Sequence, residues 1–486
     1  MYHTKIIDRN SKETTFYQAT WLITETVRYT WLHICERAVL KSPEGTFLTL
    51  VVNGVGREIK PGTYQGDVVL SVTNAYAMGP HGLMKANQIS RDFHTAVVLE
   101  DGKVAEDKCV AALLTDGSIT GEKVEGLTLY SNEECFNGIL VTGDTECVIK
   151  DSRMELSGPR SHGYGAFCIG ENEVIFDNCD VKVNGYPLML MGMEGLGKST
   201  IQNSRIRGRH FGVFVVSDDN SVLDIKGSDF VTGKSALCIK GSSTIINVEK
   251  TSMKPGNGTI VQLMDTEESG MNVSAFHVPV GVEDTAMPER DLSTVSPTED
   301  VTLNFIDCQL EGNLYNSTTN IRAYRNNEIG TMGEFHDTII GIRRRPDGGA
   351  DNGAMMEPVR ARHNGDDLRG PKNMGVNLKG SQITGIISSA GQAYREGLTR
   401  IDESNREELS NVTQWAAPTV NNGVVVSLDS GSAWTLTGTC YITGLTLADG
   451  AVLKAAGGKR LSMTVDGVET PVQSGAYIGK IVLSVS

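Results

Sequence analysis

The chain lacks the features that a protein needs to cross a membrane or to hold a nucleic acid. Its longest apolar runs, such as residues 186–191, are much shorter than the roughly 20 residues that span a bilayer as a helix. No tract rich in lysine and arginine occurs, and the 486 residues carry a net charge of −15. A negative surface repels polyanions. We therefore expect neither a membrane nor a nucleic acid as a partner.

Closely spaced cysteine pairs are also missing. The nine cysteines are scattered, with no Cys-x-x-Cys pair, and four of them, Cys168, Cys179, Cys238 and Cys308, lie in apolar runs. This distribution is typical of small buried side chains in a reducing compartment. The first 18 residues are polar and contain no apolar segment of a secretory signal. We therefore expect a cytoplasmic protein.

Motifs for metals and for common nucleophiles are absent too. The nine histidines are dispersed, and neither His-x-x-x-His nor Gly-x-Ser-x-Gly occurs. We expect no metal and no organic cofactor. One alternative stays open, because carboxylate oxygens suit calcium. A calcium ion at acidic turns would be held by Asp218 and Asp219, or by Asp265 with Glu267 and Glu268.

Glycine, in contrast, is abundant, with 54 residues, and it marks an internal repeat. Residues 21–73 align without a gap onto residues 434–486 at a constant offset of 413, with 21 identities in 53 positions. Shared glycines between short β-branched runs indicate a small all-β module. We expect an N-terminal copy in residues 1–73 and a C-terminal copy in residues 432–486.

The two copies bracket the remaining chain, residues 74–431. The ends of a repetitive fold need special units, because an uncovered end exposes apolar surface and unpaired backbone groups. We interpret the copies as end caps. A second interpretation is that the copies pack on each other between subunits, which would make the protein a homo-oligomer.

A short pattern recurs between the copies. Alternating residues are followed by Asn, Asp or Gly, then by Ser or Cys, then by another short alternating strand. The first five instances are 27, 25, 24 and 24 residues apart. A period in the low twenties with three short strands is typical of one turn of a parallel β-helix, in which the small residues stack as an inward ladder. The ladder positions are Ser152, Cys179, Ser204, Ser228, Ser252, Cys308 and Ser381.

A second set of strands supports the first. Runs such as 137–141, 164–168 and 211–215 place aliphatic residues at alternating positions, which is typical of a filled interior. This pattern of repeats resembles that of the right-handed parallel β-helix superfamily, which includes the pectate lyases and many polysaccharide-active enzymes. The resemblance covers residues 110–315 and returns at 373–389 and 423–458. It implies an all-β solenoid, and no active-site motif of a particular member is present.

Polar insertions interrupt the repeats at residues 265–300 and 312–372. In a solenoid, such insertions become loops on one face, which is often the functional one.

One segment matches a nucleotide-binding motif. Residues 192–199 form a literal Gly-x-x-x-x-Gly-Lys-Ser sequence. A helix should begin at Lys198, but the next copy of the ladder follows instead, with Ser204 in phase with Cys179. We interpret these glycines as turns of the solenoid.

Stacked strands would also stack the turns that precede and follow them. Successive strands lie about 4.8 Å apart, so His162, Arg209, His210 and Lys234 would form a cationic column beside Tyr164. We predict His162, Tyr164, Arg209 and His210 as catalytic residues, since histidine suits acid–base work near neutral pH. Lys234 and two acidic residues of the following turns, Asp218 and Asp265, are predicted to bind substrate.

The outward set of the same strands is unexpectedly apolar. It contains Leu140, Phe167, Met189, Phe214 and Cys238. A stripe of this size left in water is unusual. An insertion, a neighbouring subunit or an apolar face of a substrate should cover it, and we predict that Phe167, Met189 and Phe214 contact substrate.

Two functions remain. The first is a cytoplasmic enzyme that uses acid–base side chains on a polyhydroxylated small molecule, either sugar-derived or phenolic. Lyase, isomerase, transferase and hydrolase chemistry all fit. The alternative is a non-catalytic structural or binding protein that self-associates through the terminal modules or through the apolar stripe.

Overall fold

The fold consists of short β-strands that coil around one long core. The computed structural model describes residues 12–74, 94–134, 136–143, 145–159, 163–170, 172–192, 197–217, 221–241, 244–264, 301–318, 373–394, 408, 410–419 and 422–486. The N-terminal strands are β1 (Glu13–Phe16), β2 (Thr20–Leu22), β3 (Val27–Ile34), β4 (Val39–Lys41), β5 (Thr46–Val52), β6 (Val55–Arg57) and β7 (Gly62–Asn74).

The middle of the chain supplies strands β8 to β36. In chain order they are β8 (His94–Glu100), β9 (Lys103–Val104), β10 (Ser118–Ile119), β11 (Lys123–Glu125), β12 (Thr128–Ser131), β13 (Phe136–Thr142), β14 (Glu146–Lys150), β15 (Arg153–Leu156), β16 (Tyr164–Ile169), β17 (Glu173–Asp177), β18 (Asp180–Val183), β19 (Tyr186–Gly192), β20 (Lys198–Gln202), β21 (Arg205–Gly208), β22 (Val213–Ser217), β23 (Val222–Lys226), β24 (Asp229–Thr232), β25 (Leu237–Gly241), β26 (Thr244–Glu249), β27 (Ser252–Pro255), β28 (Thr259–Leu263), β29 (Val301–Ile306), β30 (Gln309–Glu311), β31 (Asn313–Asn316), β32 (Met374–Lys379), β33 (Gln382–Thr384), β34 (Ile387–Ala393), β35 (Thr413–Ala416) and β36 (Val424–Leu428). A short 3-10 turn lies at Ala111–Leu113.

The C-terminal strands follow without a break. They are β37 (Ala433–Leu436), β38 (Cys440–Leu447), β39 (Val452–Ala455), β40 (Leu461–Val465), β41 (Val468–Thr470) and β42 (Gly475–Val485), with a 3-10 turn at Ala456–Gly458 between β39 and β40.

Three parallel sheets run along the coil, and each turn of the chain visits them in the same order. Sheet I contains β6, β12, β15, β18, β21, β24 and β27, and later β30, β33, β37 and β39. Sheet II runs from β8 through β13, β16, β19, β22, β25, β28 and β31 to β34. Sheet III runs from β11 through β14, β17, β20, β23, β26, β29, β32 and β36 to β38. The parallel pairing confirms the predicted solenoid.

Inward-facing side chains from all three sheets form one continuous core. Ile139, Ala166, Leu188, Val213 and Leu237 are register partners along sheet II, and all five are buried. They belong to the same core cluster as residues of sheets I and III. The predicted aliphatic interior is therefore confirmed.

The predicted ladder of small residues is present and is held by hydrogen bonds. The backbone N–H of Cys179 donates to Ser204 Oγ at 3.0 Å, and that of Ser204 donates to Ser228 Oγ at 3.1 Å. Each ladder residue thus satisfies a buried amide of the preceding coil. Before each ladder position lies a residue with φ between 45 and 59°, a conformation that Asn, Asp and Gly adopt most readily. These residues are Asp151, Asn178, Asn203, Gly227, Lys250, Asp307 and Gly380.

Two details of the repeat differ from the sequence prediction. The ladder residue of the fifth coil is Thr251, whose Oγ1 accepts from Ser228 N at 3.3 Å, and not Ser252, which begins β27. The residue with positive φ in this coil is Lys250. Because the predicted pattern has Asn, Asp or Gly at this position, the ladder residue was placed one position too late. The chain also stays in the coil as far as residue 318, because β31 pairs with β28 inside the segment that was predicted as an insertion from residue 312.

The long insertions leave the coil at one corner. Residues 265–300 follow β28 and residues 319–372 follow β31, and in both cases the next strand belongs to sheet III. Both segments therefore follow a strand of sheet II and precede a strand of sheet III.

The two copies of the module share their strand register. Val27 pairs with Leu70 in the first copy as Cys440 pairs with Leu483 in the second, and the same bulge follows two residues later in both. A turn hydrogen bond is repeated as well, from Asp67 N to Asn53 Oδ1 at 2.9 Å and from Lys480 N to Asp466 Oδ1 at 2.8 Å.

The copies attach to the coil in opposite ways. The N-terminal copy joins sheet I, where β6 pairs with β12, and the C-terminal copy joins sheet III, where β38 pairs with β36. The face of the module that contains Leu32 and Leu70 packs on residues 12–23 in the first copy. The corresponding face of the second copy, with Leu445 and Leu483, is part of the main core.

Candidate functional site

The turns from sheet I to sheet II stack on one another, as the sequence predicts. Gly233 N donates to Gly208 O at 2.8 Å, and Lys234 N donates to His210 O at 3.3 Å. Each turn therefore lies directly over the turn of the preceding coil, and side chains distant in sequence meet along this corner.

Two of the predicted catalytic residues lie in a buried stack of rings at this corner. The Tyr164 ring lies 5.7 Å from the Tyr186 ring, which stacks on the His210 imidazole at 4.9 Å between centroids. His210 Nδ1 lies 2.6 Å from Ser410 Oγ. All four residues are buried. Tyr164 and His210 thus come together as predicted, but inside the protein.

The remaining predicted residues surround this stack less closely. Arg209 is exposed and Lys234 is half-buried on the adjacent turn. His162, Asp218 and Asp265 lie outside the described residues. The structure therefore brings Arg209 and Lys234 to the same corner as the ring stack and leaves the two acidic predictions undecided.

The apolar stripe of sheet II is covered by the chain itself. Leu140, Phe167, Met189, Phe214 and Cys238 are each at most 1% exposed within a single molecule. Part of the cover comes from neighbouring rings. Tyr164 lies 4.8 Å from Phe167, and Phe211 lies 5.8 Å from Phe214. The predicted substrate contacts Phe167, Met189 and Phe214 therefore form no open surface in this structure, and the stripe needs no second subunit.

An acid–base pair that the sequence analysis missed lies where the N-terminal copy meets the first coils. His94 begins β8, and Glu133 follows β12. His94 Nδ1 lies 2.8 Å from Glu133 Oε1 and 2.8 Å from Thr49 Oγ1. The Phe47 ring packs on the imidazole with centroids 4.8 Å apart. Thr49 and Phe47 from the module and Glu133 from the β-helix thus converge on one histidine.

Burial dominates the electrostatics of this pair. It raises the pKa of the Glu133 carboxyl, an effect that the neighbouring His94 opposes and that Glu58 adds to. Glu133 Oε2 is buried and has no hydrogen-bond partner in the part of the chain that the structure describes. A carboxyl with a raised pKa that shares a hydrogen bond with an imidazole is typical of sites that move protons.

One family model matches part of the chain. Residues 78–252 match the family model of the right-handed β-helix region. The chain contains a right-handed parallel β-helix. No curated protein and no solved structure matches the chain.

The described ends of the glycine-rich motif at residues 192–199 belong to strands of this β-helix or lie next to them. Lys198 begins strand β20, and its Nζ lies 3.0 Å from Glu173 Oε1 at the surface. A phosphate-binding lysine would instead open a helix. Gly192 ends β19 and Gly197 lies directly before β20, so both glycines lie at the connection between two solenoid strands.

The cysteines that are buried in the β-helix are unreactive as thiols. All eight described cysteines are free, and all but Cys35 are buried. Burial raises the pKa of Cys147 to about 12 and that of Cys179 to about 11. Because the thiolate is the reactive form, these side chains act as small apolar groups. The prediction for Cys168, Cys179, Cys238 and Cys308 as buried residues is confirmed.

The described ranges contain neither a candidate metal site nor a candidate membrane helix. Among these residues, no group of three or more His, Cys, Asp and Glu side chains is placed to hold a metal ion. In the same ranges, no helix is long and apolar enough to cross a membrane.

Proposed function

We propose that this β-helix protein is an enzyme that performs acid–base chemistry on a polyhydroxylated small molecule, either sugar-derived or phenolic. The observation that supports it is the hydrogen bond of 2.8 Å between Glu133 and His94 Nδ1. The proposal needs no organic cofactor. Lyase, isomerase, transferase and hydrolase reactions are all compatible with it.

The geometry assigns a role to each member of the pair. Both contacts of the imidazole use Nδ1, so Nε2 remains to accept a proton from a substrate hydroxyl. With a proton on Nδ1, the Glu133 carboxylate orients the ring and stabilises the imidazolium that forms. The Phe47 ring packs on the imidazole and limits its rotation.

The surroundings favour a small substrate. The side chain of His94 is 17% exposed and that of Glu133 is 9% exposed, so little of the pair faces solvent. A long polymer chain would need an open groove with many stacking rings, whereas 6% of the sequence is aromatic. Free cysteines throughout the core fit a cytoplasmic enzyme, which we propose as its location.

Turnover of a panel of sugars, sugar acids and phenols would test the proposal. We expect His94→Gln and Glu133→Gln to lower the rate of any detected reaction by about 100-fold or more, the typical contribution of general acid–base catalysis. Glu146→Gln is the matched control, since this exposed glutamate lies on sheet III, away from the pair. Equal activity in all variants would exclude His94 as the base.

A specific observation favours the alternative, a non-catalytic structural or binding protein. Tyr164 and His210, two residues predicted to be catalytic, are buried in a ring stack and serve the packing of the coil. If ligands from the panel bind without being converted, and if His94→Gln leaves that binding unchanged, the alternative gains support over the enzyme.

A further inference from the structure

The module has a second face, opposite the one with Leu32 and Leu70. This face is buried in the N-terminal copy and only half-buried in the C-terminal copy. In the N-terminal copy this face contains Thr49, Val51 and Val69, which are buried against the first coil of the β-helix. The counterparts in the C-terminal copy are Ser462, Thr464 and Val482, and all three are half-buried. The same surface is therefore a buried junction at one end of the molecule and is partly exposed at the other.

The edge of the module shows the same difference. Strand β6 pairs in parallel with β12, where Val55 is opposite Tyr130 and Gly56 is opposite Ser131. A Cβ atom on Gly56 would lie 2.5 Å from Ser131 Oγ, so this approach requires glycine. The counterpart of β6 is β41, which ends its sheet and pairs only with β40 among the described strands.

Charges occupy the contact positions of the open copy. Glu469 stands where the first copy has Gly56, and Arg460 stands where it has Phe47, the residue that packs on His94. The Arg460 and Glu469 side chains lie 3.7 Å apart and are each 77% exposed. A charged side chain at the edge of a sheet prevents the edge from pairing with another chain.

A second molecule offers the matching strand. Strand β1 pairs in parallel with β3 as the coil strand β36 pairs with β38, so β1 occupies the place of a coil strand. It is also the terminal strand of its sheet among the described residues. Parallel pairing of β41 with β1 of another molecule would repeat the junction between β6 and β12.

We propose that Arg460 and Glu469 block an end-to-end junction between copies of this chain. The junction is heterologous, since it joins different surfaces of the two molecules, and such contacts produce open filaments unless the rotation closes a ring. The two charges thus limit growth at the C-terminal end, while the N-terminal copy keeps the same junction closed within one molecule.

Restoring the residues of the first copy tests this proposal. The variant carries Arg460→Phe, Thr464→Val and Glu469→Gly. The control carries Asp449→Gly and Lys454→Phe, which also remove one charge of each sign and add a phenyl ring, but on β39 and the turn before it instead of β40 and β41. Sedimentation velocity over a wide range of concentrations measures association, and thermal melting confirms that both variants fold.

We expect the wild type and the control to sediment independently of concentration, and the triple variant to form oligomers that grow with concentration. Adding Thr15→Lys, which places a charge on β1, should return the triple variant to the wild-type behaviour. A triple variant that does not associate would overturn the proposal. So would association that the control shares or that Thr15→Lys does not reduce.

Discussion

The two copies of the module show how one set of strands serves two opposite ends of a coil. They share strand register, a bulge and a turn hydrogen bond. The first copy has a core of its own with Phe16 and Trp21, whereas the second merges with the core of the β-helix. The copies differ most where their surroundings differ. The strand register therefore defines the module, and a few surface residues define how each copy joins the rest of the molecule.

The largest expected effect separates the two shared tryptophans. Trp434 is 0% exposed in the main core, and its Nε1 donates to Gly385 O at 3.0 Å. Trp21 is 9% exposed at the edge of the small core. We expect Trp434→Ala to lower the free energy of unfolding by about 3–5 kcal/mol, and Trp21→Ala by less. Urea unfolding followed by circular dichroism measures both, and equal losses would mean that the two cores are equivalent.

Exchanging the residues at one junction position should destabilise the first copy much more than the second. Gly56→Glu forces a side chain against Ser131 and places a charge in a junction, so we expect it to destabilise the protein by on the order of 3 kcal/mol. The reverse change, Glu469→Gly, should alter the free energy of unfolding by less than about 0.5 kcal/mol. Limited proteolysis near β6 would report the opening of the first junction, and resistance equal to the wild type would contradict the prediction.

A third change should affect both copies alike. Gly66 and Gly479 have φ of 103 and 133°, and a Cβ atom on either would overlap the turn side chain, Asn53 or Asp466. We expect Gly66→Ala and Gly479→Ala to cost about 1–3 kcal/mol each. Thermal unfolding of the two variants compares them directly. A large inequality would show that the turn is not equally constrained in the two copies.

The smallest expected effect is a pH dependence confined to the first copy, because Thr49 contacts His94 there and its counterpart Ser462 faces solvent. Burial raises the folded pKa of Glu133 above 4.5, so the folded state binds this proton more tightly than the unfolded state. The stability that this proton contributes is present below pH 4.5 and is lost as the pH rises through the folded pKa. Glu133→Gln should remove this part of the melting-temperature profile, while Glu146→Gln should retain it.

The short repeated sequence pattern made most of the fold predictable. The small residues at Cys179, Ser204 and Ser228 recur at a nearly constant spacing, and each hydrogen-bonds to the next coil, so the period in the sequence is the period in space. Lys250 shows the limit of this method, since a residue outside the pattern shifted the predicted ladder position by one.

The site was much less predictable than the coil. Tyr186 had a signal in the sequence, because it occupies the same strand position as Tyr164 in the next coil. Ser410 had none, since it lies 200 residues from its partner His210. The pair of His94 and Glu133 depends on how the module docks, and the burial of Phe167 and Phe214 depends in part on the neighbouring rings of Tyr164 and Phe211. Neither follows from periodicity.

The corner after sheet II has a consequence for how such a chain can change over time. Each coil is closed by its own strand pairs, so the two ends of a connection at this corner stay fixed by neighbours on both sides. Doubling the length of a flexible connection costs only about 0.6 kcal/mol. Residues 265–300 and 319–372 are both inserted there, and the strand that follows each of them still pairs with the preceding coil. The corner is therefore a natural point for grafting a foreign peptide or a whole small domain.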